Sequence, residues 1–132
     1  MNKEILDLAL NTKNFSSLNG HTHYAKLKNR NCGDEIKVYL IIKKGKVAKL
    51  RYEGESCLYT KASANLLSGS IVNKEIKNIE LLLKLSKDHF INKKTNSSYS
   101  WNKFLKIMNK GNILRKECLL LPIKATLKAL KK

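Results

Sequence analysis

Residues 35–53 carry the pattern that most restricts what this chain can become. From Glu35 to Ile42 polar and apolar side chains alternate, with Ile36, Val38, Leu40 and Ile42 on one face and Glu35, Lys37 and Tyr39 on the other. A backbone with a two-residue period places such a set on one side, and a helix does not. Lys43-Lys44-Gly45-Lys46 reads as a tight turn, and residues 47–53 alternate again, with Ala48, Leu50 and Tyr52 sharing a face. Two strands joined this closely make an antiparallel hairpin. An isolated hairpin is marginal in water, so the rest of the chain must cover its apolar face.

The flanking residues supply that cover. Residues 21–29 alternate with His23, Ala25 and Leu27 on one face, which adds a third strand. Residues 3–10 place Ile5, Leu8 and Ala9 on one side of a short helix with Asn2 as its cap, and residues 11–20 are a polar loop. After Gly54 the period becomes helical. Leu58, Ala62, Asn65 and Leu66 belong to a helix that runs to about Val72 despite Gly69, and Asn73 suits the left-handed residue that ends it. A second helix is expected over 77–89, facing inward with Ile79, Leu82, Leu83 and Phe90. Residues 91–100 are a polar loop. Trp101, Phe104, Leu105 and Met108 follow i, i+3, i+4, i+7 and mark another helix with a core-facing stripe. A last helix covers roughly 119–131, with Pro122 in its first turn, where a missing N–H costs little. Helix, three-stranded meander, then four helices describes a two-layer α+β domain, with a small three-stranded antiparallel sheet packed against helices. A length of 132 residues suits one domain spanning 1–132.

Composition narrows the function classes. The net charge is +17, yet 24 of the 27 basic residues are lysine and only Arg30, Arg51 and Arg115 are arginine. Base readout and phosphate clamping lean on arginine. The lysines are also spread along the chain, so a solvated basic surface is favoured over a nucleic-acid site. No run approaches the ~20 apolar residues of a membrane span. Met1-Asn2-Lys3-Glu4 begins no secretory signal, so the expected compartment is the cytoplasm and no membrane partner is expected. Nothing resembles a Ser-His-Asp array, a P-loop or a dinucleotide fingerprint, so no enzymatic class is assigned.

Three cysteines remain, an odd number that makes a poor disulfide framework. Each falls at a junction. Cys32 precedes Gly33-Asp34 after the first strand, Cys57 separates the hairpin from a helix, and Cys118 follows Arg115-Lys116-Glu117 before the last helix. A thiol at a helix start is stabilised as thiolate, the form that ligates metals and attacks sulfur donors. Cys32, Asp34, Cys57 and Cys118 would make four ligands, a number that fits tetrahedral Zn²⁺ or a [2Fe–2S] cluster. One hard oxygen among soft thiolates weakens such a site, which suits a cluster that is built and then handed on. Plainer readings stay open. Each cysteine could be a buried structural thiol, Cys118 above all because Leu119-Leu120-Leu121 follows it, and Asp34 could cap a turn. His21 and His23 share a strand face and read as a surface pair before a metal pair, His89 is an ordinary last-turn residue, and Glu55 and Glu117 lack a catalytic partner.

Three segments carry a resemblance. Cys32-Gly33-Asp34, then Gly54-Glu55-Ser56-Cys57 followed by Ala62-Ser63, then Arg115-Lys116-Glu117-Cys118 leading to Pro122 resemble, in order, the motifs of the IscU/SufU/NifU-type iron–sulfur cluster assembly scaffolds. The similarity runs from about Ile5 to Leu130. It implies a SufE/NifU-like fold and a protein that accepts sulfur from a cysteine desulfurase, holds a transient [2Fe–2S] cluster or zinc, and passes its product to acceptor proteins. The resemblance carries Cys32, Asp34, Cys57 and Cys118 over as ligands, and Cys118 and Cys32 are the candidates for the thiol that first accepts sulfur. A monomer and a homodimer are both compatible with it. The chain departs from the IscU branch at Glu117, where that branch has His, at Ser56 in place of the second Gly, and at Arg30 where Pro is frequent. It also lacks the Leu-Pro-Pro-Val-Lys chaperone motif, and it is closer to the SufU branch. The other reading is a zinc-dependent persulfide carrier that builds no cluster, with a basic nucleic-acid module a distant third.

Overall fold

The computed structural model describes residues 3–30, 33–91 and 101–131. The expected cap Asn2, the ligand candidate Cys32 and most of the loop at 91–100 lie outside the described residues. Helix α1 spans Lys3–Ala9, and strands β1 (His23–Lys28), β2 (Glu35–Lys43) and β3 (Lys46–Glu53) form an antiparallel sheet in the order β1-β2-β3. Helices α2 (Leu58–Ser70), α3 (Ile76–Phe90), α4 (Asn102–Ile107) and α5 (Lys116–Leu130) follow, with a 3₁₀ segment at Lys110–Arg115 leading into α5. This is the α+β arrangement the alternation implied. Helix α5 lies across β1 and β2, and α2 packs against α1, α5 and β3.

The inward face of the sheet is Ala25, Ile36, Val38, Leu40, Val47, Leu50 and Tyr52, all buried. One residue differs from the simple alternation. Val47 points into the core and Ala48 is exposed, because Ile41 pairs with Lys49 while Ile42 pairs with Val47. Ala48 is the extra residue of a β-bulge, and a single extra residue exchanges the two faces of a strand. The hairpin closes through Lys44 and Gly45, both at positive φ (53° and 76°), the two-residue turn whose twist matches its strands.

Helical positions follow the expected stripes with small shifts. On α3, Ile79, Leu82, Leu85 and Phe90 are buried while Leu83 is half-buried, and Trp101, Phe104, Leu105 and Met108 all enter the core. Asn73 has φ 68°, and its N–H donates to Val47 O at 2.8 Å, so the left-handed stop after α2 is tied to the start of β3. Helix α5 corrects the expected start at 119. It begins at Lys116, so Cys118 lies inside its first turn and Pro122 is its seventh residue, well past the permissive first turn. A proline there leaves the carbonyl four residues back without its helical donor. The Thr60 side chain of α2 takes over that role, donating to Cys118 O at 3.0 Å.

Two close approaches pin the layers together. Gly54 has φ +127°, and a Cβ there would sit 2.4 Å from Glu35 O. This glycine lets the end of β3 cross the start of β2, where Glu35 N–H donates to Glu55 O at 2.8 Å. Inside, the Tyr52 hydroxyl donates to Asn65 Oδ1 at 2.7 Å and Asn65 Nδ2 donates to Leu8 O at 2.6 Å, joining β3, α2 and α1. Burial pushes the Tyr52 phenol up to about 12, with the Asn65 bond pulling the other way. On the outer face, a hydrogen bond to Glu53, helped by burial, pushes Tyr39 up to about 12.

Gly54→Ala is expected to lower the unfolding free energy by at least about 2 kcal/mol, through a positive-φ penalty plus a backbone clash. An unchanged urea midpoint would contradict the crossing. Both raised phenols also set a pH dependence. The folded chain keeps protons that an unfolded chain loses near the ordinary 10, so stability is full below pH 10 and is lost as pH rises towards about 12. Melting temperatures measured from pH 8 to 12 should fall across that window, with a shallower fall in Tyr52→Phe.

Candidate metal centre

The three junctions converge at one end of the sheet. Asp34 sits immediately before β2, Cys57 is the residue preceding α2, and Cys118 is in the first turn of α5. One ligand atom from each, a carboxylate oxygen and two thiol sulfurs, lie within 4.8 Å of one another. Cys57 and Cys118 are thiols, not half-cystines. Asp34 is 7% exposed and Cys118 4%, while Cys57 is half-buried. Cys32, two residues before Asp34, lies outside the described residues, so three of the four expected ligands are placed and brought together.

A buried carboxylate is costly unless it is hydrogen-bonded. Among the described residues, two donors from α2 and its start serve Asp34. The Cys57 N–H, exposed by the start of α2, lies 3.2 Å from Asp34 Oδ1, and the Thr60 hydroxyl lies 2.8 Å from Asp34 Oδ2. Thr60 Oγ1 is also 3.0 Å from Cys118 O and 3.6 Å from Cys57 Sγ. Ser63, one turn along α2, donates to Leu119 O at 2.6 Å. Thr60 and Ser63 thus dock α2 onto two successive carbonyls of α5, the first of which is the one Pro122 leaves without its helical N–H. Sequence reasoning missed Thr60. Its only signal was position: three residues after Cys57, it returns to the same face of α2.

The donor set fits a thiophilic metal. Two sulfurs and one oxygen at this spacing can share a single Zn²⁺ or Fe, and a fourth ligand completes a tetrahedron. A polar cavity of about 320 Å³ opens beside Asp34, lined by Lys28, Gly33, Glu35, Lys37, Gly54 and Glu55. A wider groove of about 660 Å³ bordered by α1 contains none of these ligands.

The other candidates go elsewhere. His21 Nδ1 meets Leu18 O at 2.8 Å and its ring packs on Tyr39, while His23 Nδ1 meets Thr22 Oγ1 at 2.8 Å. His89 Nδ1 lies 3.3 Å from Met108 O. Glu117 forms an ion pair with Lys124 at 3.1 Å. None of these joins the thiol–carboxylate group among the described residues.

Known proteins share this frame. Residues 1–95 match the family model described as the NifU-like N terminal domain. A curated relative, the iron–sulfur cluster assembly scaffold protein IscU of Thermotoga maritima, is 35% identical over 79 residues, covering 60% of this chain and 56% of that protein. The aligned part thus spans little more than half of that relative. The crystal structure of an iron–sulfur cluster assembly scaffold protein for the SUF system from Fervidobacterium islandicum superposes with a TM-score of 0.84 at 23% identity, covering 98% of this chain and 96% of the other. The N-terminal part of a NifU-like protein from Brucella abortus superposes at 0.83 with 19% identity, covering 98% and 91%. At these identities the two structures speak to the fold.

The local bonds of the histidines lead to a direct expectation. The double variant His21→Ala/His23→Ala should bind as much Co²⁺ as the unaltered chain. Cys57→Ser should lose most of the sulfur-to-cobalt charge-transfer absorption. Equal loss in both would move the centre to β1.

Proposed function

The chain belongs to the NifU-like N-terminal domain family of iron–sulfur cluster assembly scaffolds, and on that premise we propose that it assembles a transient [2Fe–2S] cluster on Cys32, Asp34, Cys57 and Cys118. The observation that carries the reading is the convergence of two thiols and a carboxylate from three separate elements to within 4.8 Å. A structural thiol needs no carboxylate beside it, and here the donors that keep Asp34 buried hold it against both sulfurs.

Each group has a task in this reading. Thiolates bind iron and also accept sulfur: a thiolate attacks the outer sulfur of a donor persulfide, the donor's S–S bond breaks, and the donor leaves as thiolate. A cysteine desulfurase is the proposed donor. Half-buried Cys57 can be reached by such a donor directly. Cys118, one of the two sulfur-accepting candidates, is only 4% exposed and requires the α2–α5 seam to loosen first. Asp34 is the hard, weakly held ligand, so a cluster bound partly through it is released more readily than one on four thiolates. Acceptor proteins would take it from there. The same donors can hold Zn²⁺ tetrahedrally. That supports the second reading, in which one thiolate leaves zinc, takes persulfide and delivers it without a cluster.

One experiment divides these. The protein is purified without oxygen, and zinc, iron and labile sulfide are counted per chain before and after incubation with ferrous iron, cysteine, a desulfurase and a dithiol reductant, whose electrons take the persulfide sulfur to sulfide. The expected result is a coloured protein with equal amounts of iron and labile sulfide per chain, reduced at least about tenfold by Cys57→Ser. Firmly held zinc and no colour would favour the persulfide carrier. Absence of metal in every sample would overturn both.

A further inference from the structure

Thr60 is buried and is shared by three members of the centre. Its oxygen lies 2.8 Å from Asp34 Oδ2, 3.0 Å from Cys118 O and 3.6 Å from Cys57 Sγ. A threonine hydroxyl has one proton to donate. A carboxylate and a carbonyl only accept, so that proton serves one of them fully or both partially. The competition exists because residue 122 is proline. Any other residue there would offer its N–H to Cys118 O along the helix. Ser63 has no such conflict, since its hydroxyl serves Leu119 O alone among the hydrogen bonds of the described residues.

Resting on the metal-centre reading above, we infer that Thr60 is a positioning residue for metal capture, its single proton divided between the ligand Asp34 and the Cys118 carbonyl that Pro122 cannot serve. Donation to Oδ2 fixes the carboxylate rotamer and leaves Oδ1 on the Cys57 N–H, so the oxygen ligand is set beside both sulfurs before metal arrives. Donation to Cys118 O instead holds the first turn of α5, and with it the Cys118 thiol. The arrangement couples the grip on Asp34 to the α2–α5 seam. Loosening the seam at Cys118 gives Asp34 the whole proton, and tightening it takes the proton away. A hydroxyl oriented in this way acts on the metal through its ligand, and loss of such a partner commonly weakens affinity by about 10–100-fold.

The full chain is tested as Thr60→Val, Thr60→Ser, Pro122→Ala and Thr60→Val/Pro122→Ala. Two quantities are read: amide exchange of Cys57 in the metal-free protein, and the dissociation constant for Co²⁺. Thr60→Val keeps the shape and removes the proton. It should speed Cys57 exchange and weaken Co²⁺ binding, each by about tenfold. Thr60→Ser should restore both. Pro122→Ala supplies an N–H to Cys118 O and releases the Thr60 proton to Asp34, so it should slow Cys57 exchange and tighten Co²⁺ by about threefold. In the Thr60→Val background the same change should do neither. Four results overturn the inference: Thr60→Val behaving as the unaltered chain, Thr60→Ser as impaired as Thr60→Val, Pro122→Ala failing to slow Cys57 exchange, or Pro122→Ala acting equally in both backgrounds. If no variant nor the unaltered chain takes Co²⁺ while Cys57 exchange follows the expected pattern, Thr60 still positions Asp34, and it is the metal-centre reading that falls.

Discussion

Residue 122 has no N–H to give, and the thiol end of the molecule is arranged around that fact. A helix interrupted at its seventh residue would ordinarily be weakened by roughly 3 kcal/mol. Here the loss is offset from outside by the Thr60 hydroxyl, which reaches across from α2 to Cys118 O, and the Ser63 hydroxyl adds a second bond from α2 to Leu119 O. Those two bonds settle how deep α5 sits against α2 and therefore where the Cys118 sulfur lies relative to Cys57. Around them, Ala62, Leu67, Leu119, Leu120 and Ile123 are fully buried, so the seam is also where much of the apolar surface leaves water.

The third corner of the centre depends on a different constraint. Gly54 permits a crossing that a side chain would block, and Glu35 N–H to Glu55 O holds it. The residue before Glu35 is Asp34, and the helix that carries Thr60 starts four residues after Gly54. Backbone geometry thus places the carboxylate within reach of the Cys57 N–H at the start of α2. The outcome is a carboxylate that is buried, bonded and beside two thiols, on elements that come from three distant parts of the chain. Under the proposed function this stiff frame would carry Asp34 as its one weak ligand, a combination suited to holding a metal assembly for a limited time.

Much of this was legible in the residues. The two-residue period of Ile36, Val38, Leu40 and Ile42 implied a strand, and the change to helical spacing after Gly54 implied the cover. Asn73 announced the end of α2 by its tolerance of the left-handed region. The cysteine junctions, with the aspartate two positions after Cys32, pointed at a candidate metal centre because thiols and a carboxylate stood where strands and helices meet. What was misread is instructive. Alternation puts Ala48 on one face with Leu50 and Tyr52, yet Val47 is the residue that joins them in the core, since a bulge inserts a residue without any change in the composition of the strand. Pro122 was placed in a first turn and lies deeper, since a neighbouring helix supplies donors that no local pattern reveals.

The sequence by itself determined the class of fold and the order of its elements, and it offered the thiols and carboxylate as candidates, all of which follow from periodicity, turn residues and donor chemistry acting over a few positions. Only the tertiary structure decided that Asp34, Cys57 and Cys118 meet, and that Thr60 stands among them with one proton for two acceptors. Those are distances between residues 23 to 84 positions apart in the numbering. Such distances are set by how α2, α5 and the sheet pack, and packing is a property of the whole core rather than of any segment within it.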